Sequence, residues 1–329
     1  MWFEQLTGFK EESAQNVRNN LRIEGDTFIS KINNKRFTFG KLEIPTLDQL
    51  KASSPKIESF KDNIQVAEVV GDVQILHCQI ENSNALFQAA SQFNLLEMVD
   101  PEISPELGID GYEYDYTQGP ACAIACGAGT IYRNYFVKIG DQIGQTRQTQ
   151  IDCLGLIGET LQNKQLGLWK MQNGYALCDQ NGLQAISKII SGFTTEQREH
   201  LKGQLKTGIQ WNTEVTMSET KHKVSQIYSS ALPVAYCRTE SRYWEPFARV
   251  ILEATYESTF YAALINLEQN HSNIVYLTLV GGGAFGNEEH WILESLQSTI
   301  RKFKHTPLDV RVVSYGQSNR RLLESIKEI

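Results

Sequence analysis

Two glycine-rich segments are the strongest candidates for a ligand-binding site. The first segment begins with Gln118, Gly119, Pro120 and Ala121. The second directly follows an apolar run and consists of Gly281, Gly282, Gly283, Ala284, Phe285, Gly286 and Asn287. Glycines expose backbone N–H groups, and a helix N-terminus adds partial positive charge, so a phosphate can bind without any lysine. The second segment has neither the dinucleotide spacing nor the lysine of a P-loop. A tight strand-to-helix turn, and close helix packing for the first segment, are the structural alternatives.

An alternation of strands and helices must position the second segment. The sequence predicts continuous apolar strands between amphipathic helices, which indicates a sheet covered on both faces. The predicted elements are helix 245–268, strand 274–280, helix 288–304, strand 309–315 and helix 319–326. Upstream, the sequence predicts a β-rich stretch over 64–80, a helix over 149–162, a hairpin around Asn173-Gly174 and strands over 208–216 and 223–236.

Two further regions complete the predicted organisation. Residues 1–60 are predicted to form an accessory layer, and residues 61–329 are predicted to form the main domain. Residues 95–117 form a long acidic and aromatic loop, and loops of this length inside a compact domain are usually functional or disordered. Its acidic side chains are Glu97, Asp100, Glu102, Glu106, Asp110, Glu113 and Asp115.

Composition excludes several classes of protein. The 329 residues include 31 Lys+Arg and 38 Asp+Glu, a net charge of −7, which disfavours a protein that grips nucleic-acid backbones. The longest apolar stretch, 275–285, contains three glycines and is shorter than the roughly 20 residues of a membrane-spanning helix. Six cysteines without a Cys-x-x-Cys pair indicate no zinc site and a reducing, cytoplasmic environment. No cofactor is expected, and we expect a monomer.

Three segments in order resemble the macrodomain family of ADP-ribose-binding proteins. Residues 85–91, Ala-Leu-Phe-Gln-Ala-Ala-Ser, resemble the family's strand motif; residues 119–129 resemble its first diphosphate loop and helix; residues 274–287 resemble its second diphosphate loop. Residues 90–97 and 229–233 are also similar to the MavL-type macrodomain enzymes, which remove ADP-ribose from ubiquitin arginine. The resemblance implies a three-layer α/β/α fold with a mixed central sheet and an N-terminal extension.

The resemblance also implies site residues and departures from the family pattern. Gln88 and Ser91 replace both asparagines of the strand motif, so the contact to the distal ribose is expected from Gln92 or Asn94. Ala121 replaces the aspartate of many deacetylating or glutamate-directed members. The Gly triplet followed by Gln-Glu-Glu of the poly(ADP-ribose) glycohydrolases is absent.

Hydrolysis of an ADP-ribosyl bond passes through an oxocarbenium-like state, which requires a carboxylate to position water. We predict Glu214, in a polar group with Asn212, and Glu288 and Glu289, which follow the second glycine segment; Glu97 and Asp115 are the next candidates. The sequence thus predicts an enzyme that binds ADP-ribose and removes it from protein, with arginine-linked ADP-ribose on ubiquitin as the narrower substrate. The alternatives are an ADP-ribose reader without activity and a phosphate-loop enzyme acting on another nucleotide.

Overall fold

A mixed seven-stranded sheet forms the centre of the computed structural model, which describes residues 1–328. The strands are β1 Leu21–Glu24, β2 Thr27–Ser30, β3 Arg36–Thr38, β4 Lys41–Glu43, β5 Gln65–Val70, β6 Leu86–Ala90, β7 Lys138–Ile139, β8 Gln142–Ile143, β9 Lys170–Gln172, β10 Tyr175–Leu177, β11 Gly208–Glu214, β12 Lys223–Ser229, β13 Ile274–Leu277 and β14 Asp309–Ser314. The helices are α1 Trp2–Thr7, α2 Ala14–Asn20, α3 Leu47–Ser53, α4 Val73–Cys78, α5 Gln118–Ala125, α6 Gly127–Tyr135, α7 Gly155–Thr160, α8 Asn163–Leu166, α9 Gln180–Ser191, α10 Thr195–Gly203, α11 Ser241–Asn270, α12 Glu289–Lys302 and α13 Arg320–Lys327.

The strands of the central sheet run in the order β4-β11-β12-β6-β13-β14-β5. The pairs β4–β11 and β11–β12 are antiparallel, and every pair from β12 to β5 is parallel. The carboxyl ends of β12, β6, β13, β14 and β5 therefore meet at one edge of the sheet, where ligands of open α/β sheets bind.

Helices cover both faces of this sheet. Successive side chains of a strand point to opposite faces, and β6 uses both: the Phe87 ring stacks on His77 of α4 at 3.7 Å between centroids, whereas Gln88 Nε2 donates to Thr259 Oγ1 of α11 at 2.9 Å. The long helix α11 is buried along most of its length. The predicted three-layer α/β fold with a mixed sheet is confirmed.

The N-terminal sixty residues are joined to the rest of the structure. Strand β4 forms the edge of the central sheet through its pairing with β11, and β1, β2 and β3 form a separate antiparallel sheet. Helix α3 begins at a capping box, in which Thr46 Oγ1 accepts from Gln49 N at 3.1 Å. The predicted accessory layer therefore contributes directly to the central sheet.

Most predicted elements of the second half are confirmed. The β9–β10 hairpin turns at Asn173 and Gly174, both with positive φ, as the Asn-Gly signal requires. Three predictions are wrong. The β-rich stretch over 64–80 continues as a strand only to Val70, because Asp72 caps α4; the helix over 149–162 shortens to α7; and the strand over 223–236 ends at Ser229, before a short 3-10 turn at Val234–Tyr236. Among residues 1–328 no helix has the length and apolarity needed to cross a bilayer.

Candidate functional site

A deep cleft of about 1160 Å³ opens at the carboxyl edge of the parallel strands. The segments that follow β6, β12, β13, β14 and β5 all contribute to its walls, because the carboxyl ends of parallel strands lie side by side. The structure brings both glycine-rich segments here. The residues predicted to bind the ligand that line the cleft are Ser91, Gln92, Gln118, Gly119, Ala121, Gly281, Gly283, Ala284 and Phe285.

The second glycine segment forms a compact loop between β13 and α12. Positive φ angles at Gly281 and Gly286 (81° and 68°) allow its two bends, and Gly286 N donates to Gly283 O at 3.0 Å. The N–H groups of Gly283, Ala284 and Phe285 find no acceptor among residues 1–328. Consecutive unpaired N–H groups on a cleft wall form a binding site for an anion.

Asn287 holds this loop from behind. Its Nδ2 donates to Leu232 O at 2.8 Å and to Gly281 O at 3.3 Å, and its backbone N donates to Gly281 O at 2.9 Å. Asn287, Gly282 and Gly286 do not line the cleft. Their role in this structure is to shape the loop.

The N-terminus of α5 provides a second set of unpaired N–H groups at the cleft. Thr117 occupies the N-cap position without a side-chain capping bond, and the N–H groups of Gln118 and Gly119 have no acceptor within the part of the chain that the structure describes. Pro120 lies in the first turn, where its missing N–H costs nothing, and is buried. The helix dipole adds partial positive charge at this end, so the two segments together favour a ligand with several phosphate oxygens.

The predicted ribose-binding amides are used by the protein itself. Gln92 pairs with the backbone of Met98, accepting from its N at 2.9 Å and donating to its O at 3.1 Å. Asn94 Oδ1 accepts from Leu96 N at 3.1 Å, and its Nδ2 donates to Gln150 Oε1 at 2.8 Å. Asn94 is fully buried and does not line the cleft. These two amides stabilise the start of the acidic loop.

Gln88 and Gln118 act similarly on the strands. Gln88 Oε1 accepts from Thr278 N at 3.2 Å, which ties β6 to the chain after β13, and the side chain lies outside the cleft. Gln118 Oε1 accepts from Ala90 N at 2.7 Å and its Nε2 donates to Gln88 O at 2.8 Å. Gln118 therefore completes the hydrogen bonding of the last residues of β6.

Two serines lie at the floor of the cleft. Ser91 Oγ donates to Gln92 O at 3.1 Å. Ser229, at the end of β12, is 1% exposed, and its hydroxyl has no hydrogen-bond partner among residues 1–328. A buried, unpaired hydroxyl on a cleft floor is available to a ligand. Ser229 was not among the predicted site residues. Two serines at the end of an apolar strand, Ser229 and Ser230, could have indicated a polar site there.

The predicted carboxylate Glu214 does not line the cleft. It pairs with Lys223 at the start of β12, and of the segment that follows it Met217 reaches the cleft wall. Glu214 Oε2 accepts from Thr38 N at 2.9 Å, and Asn212 sits in an irregular stretch of β11 with φ of 54°. The structure therefore does not place either residue in the site.

Glu288 and Glu289 lie behind the glycine loop, outside the cleft lining. Glu288 is exposed at the N-cap of α12. Glu289 accepts from Asn319 Nδ2 at 3.1 Å and from the Arg321 guanidinium at 2.6 Å, and these partners hold its pKa below the usual value. Asn319 and Arg321 themselves line the cleft. Glu289 thus orients two cleft residues and is not itself brought to the cleft.

Three carboxylates of the acidic loop do line the cleft: Glu97, Glu113 and Asp115. Asp115 is half-buried; its Oδ1 accepts from Thr117 N at 2.9 Å, and its other oxygen has no hydrogen bond to any of residues 1–328. Glu113 Oε2 accepts from Trp2 N at 2.9 Å. Asp115 therefore has an oxygen available to a ligand, and it lies two residues before the N-cap of α5.

Glu97 is buried beneath the cleft in an ion pair with Arg133, whose NH2 lies 3.0 Å from Glu97 Oε1. The Arg133 guanidinium also lies over the Tyr228 ring, 3.7 Å from its centroid. Burial raises the pKa of Glu97 to about 7, although Arg133 opposes the shift. A carboxyl that titrates near neutrality beside a cleft has the acidity of a general acid or base.

Aromatic and apolar side chains form the remaining walls. The half-buried Phe285 ring packs against Tyr175 and Tyr236, with centroid distances of 5.3 and 5.9 Å. On the opposite side, the cleft extends past Asp72 and Gln74 to the segment 313–321. None of the predicted site residues lies on this side of the cleft. No group of three His, Cys, Asp or Glu side chains within residues 1–328 is arranged to hold a metal ion.

No protein-family model matches the chain, and no curated protein matches its sequence. Among solved structures, the chain is similar to poly(ADP-ribose) glycohydrolase from Thermomonospora curvata bound to the inhibitor ADP-HPD, with 10% identity, a TM-score of 0.44 and coverage of 96% of this chain and 97% of that chain. It is also similar to poly(ADP-ribose) glycohydrolase from Deinococcus radiodurans in complex with ADP-ribose, with 10% identity, a TM-score of 0.41 and coverage of 88% and 93%.

Proposed function

We propose that the protein binds ADP-ribose in this cleft and hydrolyses ADP-ribosyl groups from modified protein. The observation that carries the proposal is that two sets of unpaired backbone N–H groups lie on the cleft walls. One set belongs to Gly283–Phe285 and the other to Gln118–Gly119. Two such sites in one cleft suit a diphosphate, which presents oxygens on both phosphorus atoms. Neither needs a lysine, in keeping with a net charge of −7.

The size and walls of the cleft support a ligand with two nucleoside-like ends. Its volume of about 1160 Å³ exceeds what a diphosphate alone requires. The segment around Asp72 and Gln74 extends it on one side, and Phe285 with Tyr236 extends it on the other. ADP-ribose has this form, with the diphosphate between two larger groups.

Carboxylates of the acidic loop are proposed for the chemical step. Cleavage of the glycosidic bond develops positive charge on the ribose and requires an activated water, both of which a carboxylate can serve. Asp115 has an available oxygen at the cleft, and Glu97 has a pKa of about 7. We propose Asp115 as the group that contacts the reacting ribose or water, with Glu97 as the second candidate.

For the substrate we propose arginine-linked ADP-ribose on a protein such as ubiquitin. Glu113 and Asp115 line the cleft, and Asp110 lies on the same loop, so a cationic arginine leaving group would meet negative charge. We propose a cytoplasmic site of action on the basis of six free cysteines, of which the buried ones have raised thiol pKa values.

Release of ADP-ribose from defined substrates tests the proposal. The protein is incubated with arginine-, glutamate- and serine-linked ADP-ribosylated proteins, and free ADP-ribose is measured by mass spectrometry. We expect release from the arginine linkage, a loss of about 100-fold or more in Asp115→Asn, and full activity in Glu214→Gln, an equally isosteric change at a residue that does not line the cleft.

The possible outcomes separate the parts of the proposal. Binding of free ADP-ribose without release from any linkage would make the protein a reader. Absence of binding would contradict the diphosphate assignment. Full activity in Asp115→Asn with loss in Glu97→Gln would move the chemical role to Glu97, provided that the Glu97→Gln variant still binds ADP-ribose.

A further inference from the structure

A carboxylate of the N-terminal layer is bonded to the backbone of the acidic loop. Glu11 accepts from Ile109 N, at 2.9 Å to Oε2, and from Asp110 N at 2.7 Å, and the Tyr135 hydroxyl donates to its other oxygen. Glu11 precedes α2, whereas Ile109 and Asp110 lie about a hundred residues further along the chain. This half-buried carboxylate therefore joins the layer to the loop that carries Glu113 and Asp115.

The loop is shaped to receive Glu11. Gly108 has a φ of +90°, and a Cβ at this position would lie 2.4 Å from Glu11 Oε2. Only a glycine allows the carboxylate to approach so closely. The conformation at Gly108 thus directs the N–H groups of Ile109 and Asp110 toward the Glu11 carboxylate. Hydrogen bonds to an ionised carboxylate are stronger than those to a neutral acceptor.

A shared apolar core supports the same contact. Ile109 and Tyr112 of the loop are buried in one cluster with Phe3 and Val17 of the N-terminal layer. Trp2 continues this contact to the cleft: its Nε1 donates to Ile109 O at 3.3 Å, its backbone N donates to Glu113, and its side chain forms part of the cleft wall.

We infer that Glu11 is a positioning residue, which holds the acidic loop so that Asp115 and Glu113 face the cleft, and that the N-terminal layer is for this reason a working part of the site. This inference rests on the proposed function. Ligand binding through the glycine loop and α5 does not require the contact, whereas the chemical step does, because a misplaced carboxylate loses its alignment with the reacting bond.

Exchange and kinetic measurements on matched variants test the inference. Glu11→Ala removes both oxygens, and Glu11→Gln retains one acceptor and so provides a milder change that preserves size. Glu12→Gln is the control, since Glu12 is exposed and its one side-chain hydrogen bond within residues 1–328 is accepted from Asn16 Nδ2, at 3.4 Å. The measurements are amide hydrogen exchange over residues 97–117, the affinity for free ADP-ribose, and kcat and KM for ADP-ribose release.

We expect Glu11→Ala to accelerate exchange at Ile109 and Asp110 by about tenfold or more. We expect kcat to fall by about 10- to 100-fold, while KM and the ADP-ribose affinity change less than about threefold. Glu11→Gln should show smaller changes in the same direction, and Glu12→Gln should match the parent. A general loss of stability would instead weaken ADP-ribose binding along with kcat.

Three results would overturn the inference. They are unchanged exchange at Ile109 and Asp110 in both Glu11 variants, faster exchange with unchanged kcat, and equal losses in kcat and ADP-ribose affinity. Failure of the proposed function is visible separately, in the parent protein. If the parent releases no ADP-ribose, the hydrolase proposal fails and the positioning of catalytic carboxylates fails with it, whatever the exchange data say about the contact.

Discussion

Gly119 lies against Ala90 so closely that a Cβ on the glycine would stand 2.1 Å from the Ala90 carbonyl oxygen. Gly119 is in the first turn of α5, and Ala90 is the last residue of β6. This approach brings the N-terminus of α5 to the end of the strand, which is where its unpaired N–H groups meet the cleft.

Replacing Gly119 with alanine should therefore displace α5. We expect Gly119→Ala to lower the free energy of unfolding by about 1–3 kcal/mol, as overpacking of a close contact does, and to weaken ADP-ribose binding. Gly111→Ala is the control, because a Cβ there meets no atom within 4 Å. Chemical denaturation and calorimetric titration measure the two effects. Unchanged affinity in a folded Gly119→Ala variant would contradict a role for the α5 N-terminus in binding.

Gly283 offers the opposite case, a glycine with space around it. A Cβ at Gly283 meets no atom within 4 Å, and the residue lines the cleft beside the unpaired N–H groups. We expect Gly283→Val to change the free energy of unfolding by less than about 1 kcal/mol. The side chain should nevertheless obstruct the diphosphate and lower the affinity for ADP-ribose by about tenfold or more.

Thermal denaturation with and without ligand reports both quantities for this variant. ADP-ribose should raise the Tm of the parent protein, because it binds the native state, and should raise the Tm of Gly283→Val much less. A full shift in the variant, or an equal shift of the parent by AMP alone, would show that this loop does not bind a diphosphate.

The ring of Phe285 should contribute more to binding than to stability. Phe285→Ala removes a half-buried ring from the cleft wall, so we expect weaker ADP-ribose binding and a loss of less than about 3 kcal/mol in unfolding free energy. Phe303→Ala provides the comparison: Phe303 is fully buried against Phe260 and Tyr261, and its removal should cost about 3–5 kcal/mol. If Phe285→Ala unfolds the protein, the ring is a core anchor.

Burial of Glu97 should leave a signature in the pH dependence of stability. The pKa of Glu97 rises from 4.5 to about 7 in the folded state. The folded protein then binds the proton more tightly than the unfolded chain, so the resulting stabilisation is complete below pH 4.5 and is lost as pH rises to about 7.

Comparison with Glu97→Gln isolates this effect. The variant lacks the titrating group, so the unfolding free energy of the parent relative to the variant should decrease between pH 4.5 and about 7 and then level off. Urea denaturation across this range measures the difference. An increase with pH would mean that the ion pair with Arg133 keeps Glu97 ionised throughout.

Local features of the fold could be predicted from the sequence because they depend on neighbouring residues. The glycine loop after β13 and the Asn173-Gly174 hairpin need positive φ angles, which glycine and asparagine provide wherever they occur. The capping box at Thr194 and Gln197 is equally local. Apolar strands alternating with amphipathic helices likewise predicted the covered sheet, since each element must bury its own apolar surface.

The choice of site residues depended on tertiary structure. Glu214 and Ser229 lie on paired strands, but the antiparallel pairing of β11 with β12 puts Glu214 opposite the start of β12, whereas Ser229 ends that strand and lines the cleft. Strand direction follows from long-range pairing, which local sequence does not encode. Gln92 or Asn94 was predicted to contact the ribose, yet the Met98 backbone pairs with the Gln92 amide, and Leu96 N and Gln150 Oε1 pair with the Asn94 amide.

The role of the N-terminal layer was likewise decided only by the folded chain. Glu11 and Ile109 are separated by 98 residues, and each segment by itself is polar or irregular. The two segments meet beside the apolar cluster of Phe3, Tyr112 and their neighbours, which packs residues from both parts of the chain together. The sequence alone indicated two segments for anion binding, because glycines expose backbone N–H groups wherever they occur. Tertiary packing decided which carboxylates face that anion, because packing sets the distances between residues far apart in the chain.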